Sequence, residues 1–238
     1  MDFIKGITNE FKKNKRTGLF TLVIVSIIII IPFQGGLGLL AASIDESNIF
    51  ITALSLYFRL FFPVFLGLFI SISLHNEKKY EAILVYYYNA VPVTKVYRNK
   101  LCAQQIQGVM FYALCVIIAM LFILLEGGSP LTYIRENLYG VLYTIIGITL
   151  LINIQFLISI ILNNQILSLL IALLGSIGNF FVASTSLWIY YPWSYPFRML
   201  YHTSIHTEQI AMIVLMLLLS FWSLLFSRKR FERIMLAQ

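Results

Sequence analysis

Three groups of residues have types and spacings that could do chemistry. His202 and His206 lie four apart with Glu208 close behind. On a helix both imidazoles would share a face, as a metal site requires. No other good ligands stand near them, so two loop histidines are the simpler account and no metal is expected. Arg59 stands well inside an apolar run, where a cation costs roughly 2.5–3.5 kcal/mol. It either pairs with Asp45, Glu46, Glu136 or Glu208, or lines a path for a polar substrate. Asn153, Gln155 and Asn179 are amides within apolar runs, and such groups commonly bond between helices. Trp188, Tyr191 and Trp193 belong to a dense aromatic segment holding Pro192 and Pro196. A membrane-interface belt explains most of it. Its prolines also allow a re-entrant hairpin, from 191 to 208, capping a path. Arg59, Asn153, Gln155, Asn179, Trp188, Tyr191 and Trp193 are therefore the candidate path residues. No P-loop, His-Glu-x-x-His, Gly-x-Ser-x-Gly or zinc-spaced cysteine pair occurs, so no catalytic residue is expected and the chain has no nucleotide cradle of its own. An intramembrane enzyme would need converging titratable groups at one depth, and only Arg59 qualifies.

The third group is the stretch 75–100, the longest polar interruption between two apolar runs. It carries Lys78, Lys79, Lys95, Arg98 and Lys100 with two acids, Glu77 and Glu81. Tyr80, Ile83, Leu84, Tyr87, Tyr88 and Val91 share one face at helical period. Pro92, which lacks a backbone N–H, stops the pattern. The stretch predicts a short amphipathic helix over Glu77 to Val91. It could simply rest on the membrane. Its anchor spacing also suits a partner's groove, and a chain without an engine of its own needs such a contact.

The elements that position these groups follow from composition. The chain is 60% hydrophobic and 11% charged, against about 25% charged residues in soluble domains. Its apolar residues fall in runs near the roughly 20 needed to cross a bilayer. The fold class is an all-α polytopic membrane protein, because the runs do not alternate as barrel strands would. Six spans are expected, at about 18–42, 49–74, 101–125, 138–162, 166–190 and 209–226. Pro32 and Gly35-Gly36 should kink or loosen the first. Residues 126–137 read as a loop and 227 onward as a tail. Ser168, Ala172, Ser176, Asn179 and Ala183 form a small-residue stripe for close helix packing. Cys102 and Cys115 read as small packing residues. No extramembrane segment is long enough for a core of its own, so residues 1–238 form one domain.

Residues 1–16 predict an amphipathic helix in the headgroup plane, with Phe3, Ile4, Ile7 and Phe11 on one face and basic residues around it. Ala41-Ala42 could mimic a signal cleavage site, but the apolar run is long and the leader holds Asp2 and Glu10. Five Lys and Arg lie in residues 1–16, five in 75–100 and four in the tail, 14 of the 17. Arg59, Arg135 and Arg198 fall on the other side. The positive-inside rule then puts both termini and the 75–100 stretch in the cytoplasm. Membrane lipid, and no nucleic acid, is the expected surface partner.

An amphipathic N-terminal helix, six spans, the stretch Glu77-Lys78-Lys79-Tyr80-Glu81 to Pro92-Val93-Thr94-Lys95, and a proline-rich aromatic outer hairpin together resemble the permease subunit of ABC-2-type exporters. The likeness is to small Gram-positive permeases for lantibiotics and related amphipathic peptides. That resemblance implies a cytoplasmic coupling helix docked in a separate ATP-binding ABC subunit. Glu77, Lys78, Lys79, Tyr80, Glu81, Ile83, Leu84, Tyr87, Tyr88 and Pro92 would couple to it. It implies that ATP and Mg are bound by that partner, with no cofactor here. It also implies a second permease subunit, a copy or a paralogue, and an amphipathic, cationic peptide cargo in the bacterial cytoplasmic membrane. The alternative is a membrane-embedded scaffold or sensor without a path.

Overall fold

The computed structural model describes residues 2–15, 18–40, 49–79, 91–162, 164–201 and 207–236. Its elements are α1 (Asp2–Lys15), α2 (Leu19–Leu40), α3 (Ile49–Leu56), a π-helical turn (Tyr57–Phe61), α4 (Phe62–Lys79), α5 (Val93–Leu125), α6 (Pro130–Leu162), α7 (Gln165–Val182), 3₁₀ turns at Ser186–Tyr190 and Pro192–Ser194, α8 (Tyr195–Met199) and α9 (Thr207–Leu236). No strand occurs among the described residues. Six helical stretches are long and apolar enough to cross a membrane, as composition predicts.

Each span turns one face inward and one outward, and apolarity does not decide which. On α2, Val23, Ile27, Ile31 and Gly35 are buried at intervals of four, while Leu22, Val25, Ile28, Ile29 and Phe33 are exposed. On α9 the polarity is inverted: Ser220, Ser223 and Ser227 face inward and Leu217, Leu218, Phe221 and Trp222 face outward. Lipid is as apolar as leucine, so close approach of small residues, not apolar burial, holds such helices together. α6 is the central member, packed on α4, α5, α8 and α9, while α7 packs on α4. Pro32 lies within an unbroken α2. Gly35 serves packing instead, since a Cβ there would strike the Phe122 ring.

Several span ends differ from expectation. Pro92 precedes the first turn of α5, so Val93 to Lys100 are span helix and not loop. Likewise Pro130 opens α6, eight residues before the expected start, because a proline is compatible with a first turn. Between them Gly127 takes φ 81°, and Gly128 N and Gly127 N donate to Ile123 O and Leu124 O at 3.0 and 3.1 Å. This is a Schellman end, which favours glycine at the left-handed position. α4 runs on to Lys79 and α9 to Leu236, past the apolar boundary, where Ser227 and Phe231 remain buried. α7 stops at Val182, earlier than expected. Asn164 caps its start, the side chain accepting from Ile166 N and Leu167 N at 2.9 and 3.2 Å.

Candidate functional site

The first site region is where α1, α4 and α5 meet. Lys100 is 1% exposed. Its Nζ donates to Glu10 Oε2 at 3.0 Å and to Ser73 O at 3.3 Å. Glu10 also accepts from Lys13 at 2.8 Å. One turn along α1, Asn14 donates to Gln107 Oε1 at 3.0 Å. One turn the other way, Gly6 lies so close to Asn99 that a Cβ would overlap its amide. Gly6, Glu10 and Asn14 recur at four-residue spacing, so a polar stripe of α1 is turned into the protein. Ile4 is exposed instead. α1, expected to lie in the headgroup plane, is thus riveted to α5 by a buried ion pair. Composition concealed this because Glu10 looked like a stray acid in a basic leader. Its position four residues from Gly6 and Asn14 was the available signal. On the other side of α5, Tyr97 OH is 2.6 Å from Ser227 Oγ, which ties α5 to the end of α9.

Of the coupling residues, Pro92 is exposed at the head of α5. Tyr80, Glu81, Ile83, Leu84, Tyr87 and Tyr88 lie outside the described residues, as do the side chains of Glu77, Lys78 and Lys79. His202 and His206 do too. Among the described residues no cluster of three metal-ligating side chains occurs.

Asn153 and Gln155 hydrogen-bond between helices. Asn153 donates to Ser220 and accepts from Gln105 at 2.8 Å. Gln155 donates to Ser168 O at 3.0 Å. Ser168 also bonds Ser71 at 2.8 Å and Ser159. The small stripe of α7 performs as read: Ser168, Ala172, Ser176, Asn179 and Ala183 are buried, and Ala172 sits against Gly67 of α4.

The other candidate path residues gather at the opposite end. After α7 the chain folds back as a hairpin over 183–201 and reaches α6. Gly140 and Gly147, two turns apart, let the hairpin backbone approach. A Cβ on Gly140 would stand 2.5 Å from Leu200 O, and one on Gly147 3.1 Å from the backbone of Tyr195. Tyr191 OH donates to Gly175 O at 2.8 Å, and the Trp193 ring covers Gly175. Tyr195, Phe197, Met199 and Leu200 are buried. The hairpin is therefore re-entrant, and it starts eight residues earlier than expected.

Arg59 lies under this hairpin in the π turn. Phe62 N bonds Tyr57 O, the i+5 pattern that π turns add to a helix and that recurs at functional sites. Asn179 Nδ2 donates to Arg59 O at 2.9 Å. The Arg59 guanidinium rests 4.1 Å from the centre of the Phe197 ring and meets the Tyr201 hydroxyl. Arg198, next along, lies 5.3 Å from the Trp188 ring centre. Burial lowers the Arg198 pKa, Tyr201 opposes this, and the Arg59 charge lowers it further. Glu136, one expected partner of Arg59, is exposed and makes no ion pair with it. Asp45 and Glu46, and the Glu208 side chain, lie outside the described residues. Thus Arg59, Asn179, Trp188, Tyr191 and Trp193 share one region, which Asn153 and Gln155 do not.

A bundle of six helices long and apolar enough to cross a membrane, with a hairpin folded back on it at one end and an amphipathic helix riveted to it at the other, defines an integral membrane protein. Residues 6–179, well over half of the chain, match the family model for ABC-2 family transporter proteins, and the chain belongs to that family. It is therefore a membrane permease subunit of an ABC transporter, and its family implies an ATP-binding ABC partner. No curated protein and no solved structure matches it significantly.

Proposed function

We propose that this permease serves an ATP-driven exporter that expels an amphipathic, cationic peptide from the bacterial cytoplasmic membrane. Both termini are cytoplasmic, the hairpin faces outward, and a second permease completes the path. ATP and Mg are bound, and ATP is hydrolysed, by the partner subunit. The observation that carries this reading is the Lys100 junction. Residues 80–90 join α4 to α5 in the sequence, and Lys100, in the second turn of α5, clasps α4, α5 and α1 together. A push delivered there moves three helices together. α4 spans 18 residues, about 27 Å at 1.5 Å per residue, so it carries the displacement from this junction to the π turn and Arg59. ATP binding supplies the free energy that distinguishes the two states.

Removing residues 80–90 is expected to abolish co-purification of the ATPase while leaving membrane insertion intact. Glu81→Lys should weaken ATPase stimulation several-fold. Retained co-purification and peptide resistance after the deletion would overturn the coupling role. If the chain is instead a scaffold or sensor, Arg59 and Asn179 substitutions should alter assembly alone and leave peptide resistance unchanged. Labelling a Tyr87→Cys variant tests the orientation: reagent confined to the cell exterior should not reach it.

A further inference from the structure

We propose that Arg59 and Arg198 form a binding site for the phosphate of an anionic phospholipid headgroup, seated under the re-entrant hairpin. Two guanidinium groups converge here with no carboxylate against either among the described residues. Each is held over an aromatic ring, Arg59 on Phe197 and Arg198 on Trp188. The Nε of each is buried without a hydrogen-bond partner, and so is Trp193 Nε1. Unpaired buried donors are costly, and two like charges together raise that cost. The Trp193 Nε1 edge lies against Gly175, so the site is made by the two cationic donors, which fit a tetrahedral oxyanion that guanidinium groups grip in bidentate fashion.

The depth selects the source of that anion. The hairpin meets α6 from Gly147 outward to Gly140, near the start of the apolar run, with Arg198 between these two contacts in sequence, and Phe181, Leu187 and Tyr190 at the end of α7 and in the hairpin are exposed. Such an aromatic belt marks the headgroup level, where lipid phosphates lie. The π turn contributes by adding one residue to α3–α4 and turning Arg59 toward the hairpin, while Asn179 accommodates its carbonyl. The bound lipid would clamp the π turn to α8, so hairpin position and lipid occupancy are linked. This inference does not depend on the identity of the exported cargo.

The test is native mass spectrometry of the intact permease–ATPase complex, titrated with phosphatidylglycerol and, separately, with soluble glycerol phosphate. The wild type should retain phosphatidylglycerol at least tenfold more tightly than R59Q/R198Q, and glycerol phosphate should not compete at equal concentration. Arg198→Lys keeps the charge but loses the fork, so it should lose several-fold. R135Q, an exposed arginine of α6, should bind as wild type. Equal retention by wild type and Arg198→Lys overturns the proposal even if the double variant fails to assemble. Equally tight binding of glycerol phosphate assigns the site to a soluble anion and overturns the lipid assignment. Co-purification of the ATPase, read in the same spectra, reports separately on the coupling role.

Discussion

Glu10→Ala is expected to loosen the hold of the bundle on α1. Glu10 is 5% exposed and Lys100 1%, and they meet at 3.0 Å. Removing one member of a buried pair costs about 3–5 kcal/mol, because the remaining charge has lost its compensation. We expect the lower end, since Asn14 and Gly6 still hold α1 on α5. About 3 kcal/mol corresponds to amide exchange in α1 faster by on the order of a hundredfold. Hydrogen exchange in the purified complex reads this directly. Swapping the charges, Glu10→Lys with Lys100→Glu, should restore a large part of the protection. If α1 exchanges equally in wild type and Glu10→Ala, the rivet is not what holds it. A drop in ATPase-driven transport with the ATPase still bound is the expected functional consequence. The clasp would then be lost while segment 80–90 remains.

Gly140→Val should expel the hairpin. The nearest obstacle is backbone, Leu200 O at 2.5 Å from a new Cβ, with Met199 O at 3.2 Å. Backbone cannot rotate away as a flexible side chain can. Overpacking of this kind costs about 1–3 kcal/mol, and valine adds two further methyl groups. Undocking α8 would lift Phe197 from Arg59 and expose Trp193, which covers Gly175. Quenching of tryptophan emission by an aqueous quencher should therefore rise. ATPase co-purification should persist, because the Lys100 junction is at the other end. Gly36→Ala is the matched control: no atom lies within 4 Å of its Cβ. It should be neutral or stabilising by up to about 1 kcal/mol, given the low helix propensity of glycine. Unchanged quenching in Gly140→Val would show that the hairpin does not rely on this close approach.

By itself, the order of residues determined whatever depends on summed local chemistry. Six apolar runs make six spans because each must satisfy its own backbone in lipid. Pro92 interrupts helix because it lacks an N–H. The small stripe of α7 promises a close neighbour, and Arg59 stands out because a cation in an apolar run is costly. Tertiary structure alone decided who meets whom. Lys100 reads as one more loop cation until α1 brings Glu10 to it from 90 residues away. The partners of Asn153 and Gln155, Ser220 and Ser168, are not to be read from the order of residues either. Span ends moved because apolarity marks where lipid stops, whereas a helix stops where its hydrogen bonds and neighbours do. Hence α4 and α9 run on while α7 yields early to Tyr191 and Trp193 folding back on Gly175. The π turn that aims Arg59 leaves no composition signal, since one inserted residue changes the phase of a helix without changing its hydropathy.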